Sequence, residues 1–293
     1  MATGPGWEER LQIGFNLLVV GGAITPADRP VLESLKRHGY DGVEVPVMAG
    51  AEADCAALGR VLDELGLART YTTIIPDPDH SPLSGDPAIR RRARDRLAWA
   101  IDCGHALGAT VMGGPYHSPL GVFSGSGPTE DELANLAATL HWAAGRAQEA
   151  GIHLSIEALN RFECYALNTM AQAEALRARV GHPNFGFMYD TFHANIEERD
   201  PVGIIAAHAA GITHVHLSEN DRGIPGRGHV PFAATLRAVR GIGYDGWLTV
   251  EAFGRALPDL AAATRVWRDL FPDLDTLFAE AIALIRREWE AAA

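Results

Sequence analysis

The run His153-Leu154-Ser155-Ile156-Glu157-Ala158-Leu159 decides the architecture. It is short and mostly apolar, follows Gly151 after one residue, and carries one acid near its C-terminal end. A strand with one wet face alternates apolar and polar residues, whereas a strand covered on both faces reads as a continuous apolar run. Working outward, the same pattern recurs at Ile13–Leu18, Gly42–Met48, Arg69–Ile75, Thr110–Gly114, Phe185–Thr191, Ile212–Ser218 and Trp247–Phe253. Amphipathic stretches with 3.6-residue periodicity lie between them, such as Arg92–Leu107, Glu130–Ala150, Met170–Val180 and Phe232–Arg240. Gly39, Gly66, Gly108, Gly151, Gly181, Gly211 and Gly243 stand between a helical stretch and the next strand, where a left-handed cap belongs.

Eight β-then-α units with no break in composition predict one domain over residues 1–293. Its fold class is α/β, a single (β/α)8 TIM barrel with its active site at the C-terminal ends of the strands. An open doubly wound sheet fits the alternation too, but eight repeats favour closure and no Gly-x-Gly-x-x-Gly follows the first strand. The long C-terminal helical segment from about 257, Leu257–Ala292, exceeds what its unit needs and is expected to cover one end of the barrel or another subunit.

Composition narrows the function. A chain with 47% hydrophobic and 21% charged residues is an ordinary soluble enzyme by its make-up. Its formal net charge of −12 argues against a nucleic-acid partner, and with it against a metal-dependent endonuclease. Lys36 is the only lysine and sits in a polar helical stretch, so Schiff-base chemistry has no candidate. Cys55, Cys103 and Cys164 form no Cys-x-x-Cys pair, which suits a reducing, cytoplasmic setting. Residues 1–10 have neither the positive nor the apolar region of a secretory leader, and no apolar run is long enough to span a membrane.

Four ionisable residues fall at the ends of the last four strand candidates: Glu157, Asp190, His216 and Glu251. Successive units would put all four around one side of the barrel mouth. Three carboxylates in neighbouring apolar strands repel one another unless a cation sits between them, because burying each charge costs several kcal/mol. Three oxygen ligands and one imidazole suit Mn²⁺ first, with Mg²⁺ or Co²⁺ as alternatives.

Residues 156–163, Ile-Glu-Ala-Leu-Asn-Arg-Phe-Glu, together with 190–198 and 216–222, resemble the signature of the D-tagatose/D-allulose (D-psicose) 3-epimerase family. The resemblance spans all eight units and is strongest over 153–253. It implies that Glu157, Asp190, His216 and Glu251 hold the metal, and that Glu157 and Glu251 are the catalytic pair. Glu163, His193 and Arg222 match substrate contacts near C1 to C3, and Phe253 matches an aromatic shielding the sugar. It further implies a free ketose as substrate, and a homodimer or homotetramer. The chemistry accounts for the set: the C3 proton of a ketose is acidified by the C2 carbonyl, and epimerisation needs one carboxylate on each face of C3. Two other enzyme classes could share such a constellation, namely aldose–ketose or hydroxypyruvate isomerases and inosose-type dehydratases. A non-catalytic sugar-binding barrel predicts that one glutamate is missing, and both are present.

Other features carry less. Gly223–Gly228 is either a phosphate cradle or a loop over the substrate, and the latter is favoured. Glu44, near the end of the second strand, has structural and functional readings in balance. His117 is expected behind or beside the site rather than as a ligand, and Cys164 as a buried packing residue. Phe15-Asn16-Leu17-Leu18 departs from the aromatic-rich first strand of some family members, so contacts to C4–C6 are not carried over.

Overall fold

The structure, a computed structural model, describes residues 12–292; the expectation drawn from residues 1–10 lies outside them. Eight parallel strands close a ring: β1 Gln12–Asn16, β2 Gly42–Pro46, β3 Ala68–Thr72, β4 Val111–Gly113, β5 His153–Ile156, β6 Phe185–Asp190, β7 Ile212–Leu217 and β8 Trp247–Val250. Closure is made by β1 against β8, with Gln12 opposite Trp247 and Phe15 opposite Val250. The barrel expected from the sequence is therefore present.

Every strand stops before its apolar run does. Ala158, Leu159, Ala252 and Phe253 are as buried as strand residues, yet they belong to the turns that follow β5 and β8. Apolar character reports burial, and burial continues past the last ladder hydrogen bond at a barrel mouth.

Around the ring run α1 Arg29–His38, α2 Glu52–Leu65, α3 Pro87–Leu107, α4 Glu130–Glu149, α5 Met170–Val180, the short α6 Thr191–Glu197 and α7 Gly203–Ala207, and α8 Phe232–Gly241. α3 begins five residues ahead of its amphipathic stretch, because Asp86 accepts from the Ala88 amide and Pro87 suits the first helical position. Six of the seven predicted stop glycines have positive φ; Gly181 caps α5 at φ 59°. Gly211 does not. It ends a short 3₁₀ turn, and a Cβ there would lie 2.2 Å from the Phe187 ring, so close packing selects that glycine.

The C-terminal segment divides into α9 Pro258–Thr264 and α10 Leu274–Ala291. α10 is the last helix of the outer ring, packed against α8 and α1. Its Phe278 ring meets Phe15 at 4.7 Å between centroids, and its carbonyl accepts from the Tyr40 hydroxyl. α9 leans over the mouth, where Leu260, Ala263 and Thr264 wall a cavity. Among the described residues no helix is long and apolar enough to cross a membrane.

Candidate active site

Glu157 follows β5, Asp190 ends β6, His216 is next to last in β7, and Glu251 follows β8. The β6–β7 register sets Asp190 directly beside His216. One ligand-type atom from each of the four lies within 4.8 Å of the other three. His216 Nδ1 is 3.5 Å from Asp190 Oδ2, 3.6 Å from Glu251 Oε1 and 4.0 Å from Glu157 Oε1. None of the four is more than 5% exposed.

Burial and crowding set the protonation preferences. Burial, reinforced by the charge of Glu251, pushes Glu157 well above the usual carboxylate range. Burial likewise raises Glu251, against the pull of Arg222 and His216. For Asp190 the burial effect is outweighed by His193, His216 and Arg222, which hold it below the usual range. Burial disfavours a charged His216, but Glu44 and Glu251 raise it well above an ordinary histidine.

Asp190 Oδ2 and His216 Nδ1 are buried with no hydrogen-bond partner among the described residues. An orphaned buried polar atom costs about 1–3 kcal/mol, and these two face each other inside a cluster of carboxylate oxygens. A divalent cation would satisfy both atoms and offset the repulsion, and the oxygen-rich donor set fits a hard ion. Asp190 keeps its other oxygen for the protein, accepting from the Phe192 and His193 amides to cap α6.

The remaining sequence candidates gather on one side of this cluster. His193 Nδ1 accepts from the Asn160 amide at 3.0 Å, so a neutral ring carries its proton on Nε2, 3.5 Å from Glu157 Oε1. Burial lowers its pKa to about 4, which makes it a neutral donor near pH 7. Glu163 reaches His193 through Asn160, whose Nδ2 donates to Glu163 Oε1 at 2.8 Å. The Arg222 guanidinium is clamped between the Phe192 and Phe253 rings, 3.6 and 5.0 Å from their centroids. It donates to Glu251 Oε2 and Ser218 Oγ. Its φ of 67° is left-handed, a conformation worth about 1–3 kcal/mol of strain for a non-glycine residue.

Glu157, Glu163, His193, Arg222, Glu251 and Phe253 all line one cavity of about 210 Å³. The lining from the β1–β4 half is mostly apolar, built from Leu18, Met48, Ile74, Pro115 and Leu120 with one hydroxyl, that of Thr72.

The glycine loop after β7 is no phosphate cradle. Its Gly226 and Val230 amides already donate to the fully buried Glu219 carboxylate, and Arg227 turns outward to Glu280. His117 is buried behind the site with Nδ1 against Ser118 Oγ, and Cys164 is a buried packing residue. Lys36 is exposed, donating to the Gly66 carbonyl. Sequence reasoning passed over Asn16, Asn160, His214 and Glu219. His214 was the most findable, since residues two apart on a strand share a face and His216 was already assigned.

The model of the xylose isomerase-like TIM barrel family matches residues 32–287. A ketose 3-epimerase of Arthrobacter globiformis is 35% identical over 87% of this chain and 88% of its own length. An L-ribulose 3-epimerase of Methylomonas sp. (strain DH-1) is 31% identical over 96% of this chain and 99% of its own. The crystal structure of a D-allulose 3-epimerase from Methylomonas sp. in complex with D-allulose superposes with a TM-score of 0.89 at 30% identity, covering 95% of this chain and 97% of that one. The chain belongs to the xylose isomerase-like TIM barrel family and, within it, to the ketose 3-epimerases, which are carbohydrate isomerases.

Proposed function

We propose that Glu157 and Glu251 exchange the C3 proton of an unphosphorylated ketose, inverting C3 through a cis-enediolate. The observation that carries this is the shared cavity: both glutamates, already raised toward the protonated range, open into one space with His193 and Arg222. One carboxylate removes the proton from its face of C3, and the other delivers a proton to the opposite face. In the reverse direction they swap roles, so each must serve as base and as acid, which a raised pKa favours.

Glu157, Asp190, His216 and Glu251 would hold a divalent metal, Mn²⁺ before Mg²⁺ or Co²⁺, which when bound supplies Lewis-acid polarisation of the ketose oxygens. Arg222 and His193 donate to the C1–C2 end, where negative charge develops. Glu163 orients His193 through Asn160, and Phe253 keeps water from the sugar. The free sugar is supported by the Glu219-filled glycine loop and by the absence of a second cation on the cavity wall among the described residues. D-tagatose, D-fructose/D-allulose and L-ribulose are the candidate substrates, the last two being named for relatives.

Incubation with D-fructose or D-tagatose and Mn²⁺ in D₂O tests the reading. Deuterium at C3 of both epimers is expected. Label confined to C1, with no C3 epimer, would mean a C1–C2 isomerase of the hydroxypyruvate or aldose–ketose kind.

The reading extends to a cytoplasmic homodimer or homotetramer with no nucleic-acid or membrane partner. Three free cysteines and a net charge of −12 support the setting. Self-association is supported by Phe162 and Phe123, 66% and 48% exposed, on two mouth loops tied by the Gly121 amide donating to the Glu163 carbonyl.

A further inference from the structure

Below the ring of strand-end residues, the barrel interior holds a polar layer where branched apolar side chains ordinarily pack. Its centre is Glu44, fully buried on β2. Register places Asn16 of β1 and Thr70 of β3 directly beside it. Glu44 Oε2 accepts from His214 Nε2 at 2.8 Å and from Thr70 Oγ1 at 3.2 Å. Glu44 Oε1 accepts from Asn16 Nδ2 at 2.8 Å and lies 2.7 Å from His216 Nε2. That last pair does not meet hydrogen-bond geometry, but two lone pairs at such a distance would repel, so the imidazole proton belongs on Nε2. The orientation of Asn16 is fixed independently: its Oδ1 accepts from the Leu18 amide, leaving Nδ2 to face the acids. The same Nδ2 lies 3.2 Å from Glu251 Oε1.

We propose that Glu44 and Asn16 are a positioning pair for the reaction. Glu44 holds His216 as the Nε2–H tautomer, with its Nδ1 lone pair turned to the three carboxylates, and Asn16 ties that arrangement to Glu251. The inference rests on the metal-site reading above. A purely structural layer could be apolar at lower cost, since a buried acid with two imidazoles adds desolvation that hydrophobic packing avoids. What the polar layer provides is orientation: an imidazole whose far nitrogen is bound to a carboxylate presents its near nitrogen in one tautomer and one ring setting. Asn16 adds a second constraint. It gives Glu251 a donor on Oε1 while Arg222 occupies Oε2, so this glutamate is held at both oxygens, whereas the Glu157 carboxylate has only long contacts among the described residues, to His193 at 3.5 Å and His216 at 4.0 Å.

The tautomer can be read directly in the wild-type protein labelled with ¹⁵N-histidine and loaded with diamagnetic Mg²⁺. Two-bond ¹H–¹⁵N correlations should show His216 protonated on Nε2 and bare on Nδ1, its signals assigned by their loss in His216→Gln. A proton on Nδ1 would overturn the proposal. If no histidine signal responds to Mg²⁺ and the free Mn²⁺ EPR signal is undiminished by the wild type, it is the metal-site reading that fails. Glu44→Gln should raise the Mn²⁺ Kd about 10–100-fold, read by EPR, with the melting temperature of the EDTA-treated protein maintained. Asn16→Leu should lower kcat about tenfold with KM within about twofold, because it loosens Glu251 and leaves the sugar contacts. Wild-type Mn²⁺ affinity in Glu44→Gln, or a wild-type kcat in Asn16→Leu, would overturn the assignment of that residue. If Glu44→Gln does not fold, the wild-type tautomer decides alone.

Discussion

The β5–β8 half of the barrel mouth ends in acids and an imidazole, while the β1–β4 half ends in Leu18, Met48, Ile74, Pro115 and Leu120, with Thr72 as its one hydroxyl on the cavity. Both halves are built from the same βα units, so the fold does not impose the difference; the charged residues are buried, whereas Leu18, Met48 and Ile74 are half-buried and Leu120 is exposed. On the proposed reading the two walls divide the work: one would hold charge and move protons, and the other would shape the space for the part of the sugar that does not react. The halves meet below the mouth, where Asn16 and Glu44 of the apolar half reach under it to Glu251, His214 and His216. Substitutions on the reacting wall should therefore change the rate by orders of magnitude, and those on the apolar wall should change preference.

The largest effect is expected from the glutamates. Glu157→Gln and Glu251→Gln should each lower turnover by about 10³-fold or more, measured as appearance of the C3 epimer, since an amide neither accepts nor returns the proton. For Glu157→Gln the ion-free protein should be at least as stable as the wild type, because burial and Glu251 already penalise its charge. Substantial turnover in either variant would remove that glutamate from proton transfer and blur the distinction between the walls. Arg222→Ala comes next. Losing a preorganised donor should cost about 10²-fold in kcat/KM. The protein should also lose stability, because the variant leaves Glu251 Oε2 without its cation. An unchanged kcat/KM would place the developing charge elsewhere.

Removing the ion should expose the charged wall through its pH dependence. Without a cation, Glu157 and Glu251 have folded pKa values above their unfolded ones, and so has His216. In each case the folded state holds more protons than the unfolded state, so stability falls as pH rises above the ordinary carboxylate range for the glutamates and above the ordinary histidine range for His216. Asp190 is shifted the opposite way, and its contribution is lost only in strong acid. The gain in melting temperature on adding Mn²⁺ to EDTA-treated protein should therefore be larger at about pH 8 than at about pH 6, by a few degrees. An equal gain at both would mean that the four groups do not share the ion.

The two walls were not equally legible in the sequence. Glu157, Asp190, His216 and Glu251 were readable because an acid or imidazole in an otherwise apolar strand is costly enough to need a reason, and four at consecutive strand ends share one. The eight units were readable because buried parallel strands and amphipathic helices have different periods. The lower polar layer was not. Asn16 and Glu44 lie on the first two strands, and they meet Glu251 and the histidines of β7 only because the barrel closes. Asn160 and Glu219 were hidden for another reason: the side chain of each satisfies partners within its own loop, Glu163 and the Phe162 amide for Asn160, the Asn220 and Gly226 amides for Glu219, which leaves no periodic trace. Gly211 looked like every other helix stop, because a glycine needed for space and one needed for a left-handed turn are the same letter.

The smallest effect belongs to the apolar wall and is the sharpest test of the division. Ile74 is on the cavity wall, in the loop that follows β3 and across from the charged residues. Ile74→Ala removes methylene-scale contacts from the far end of the sugar, and such contacts discriminate by about 1–3 kcal/mol at most. The ratio of kcat/KM for a hexulose over a pentulose should then change by about tenfold or less, because only the longer sugar extends to that wall. Mn²⁺ affinity and the C3 deuterium-exchange pattern should stay as in the wild type, since nothing in the variant touches the acids. A loss of turnover on both sugars alike would mean that the apolar wall holds the reacting carbons after all.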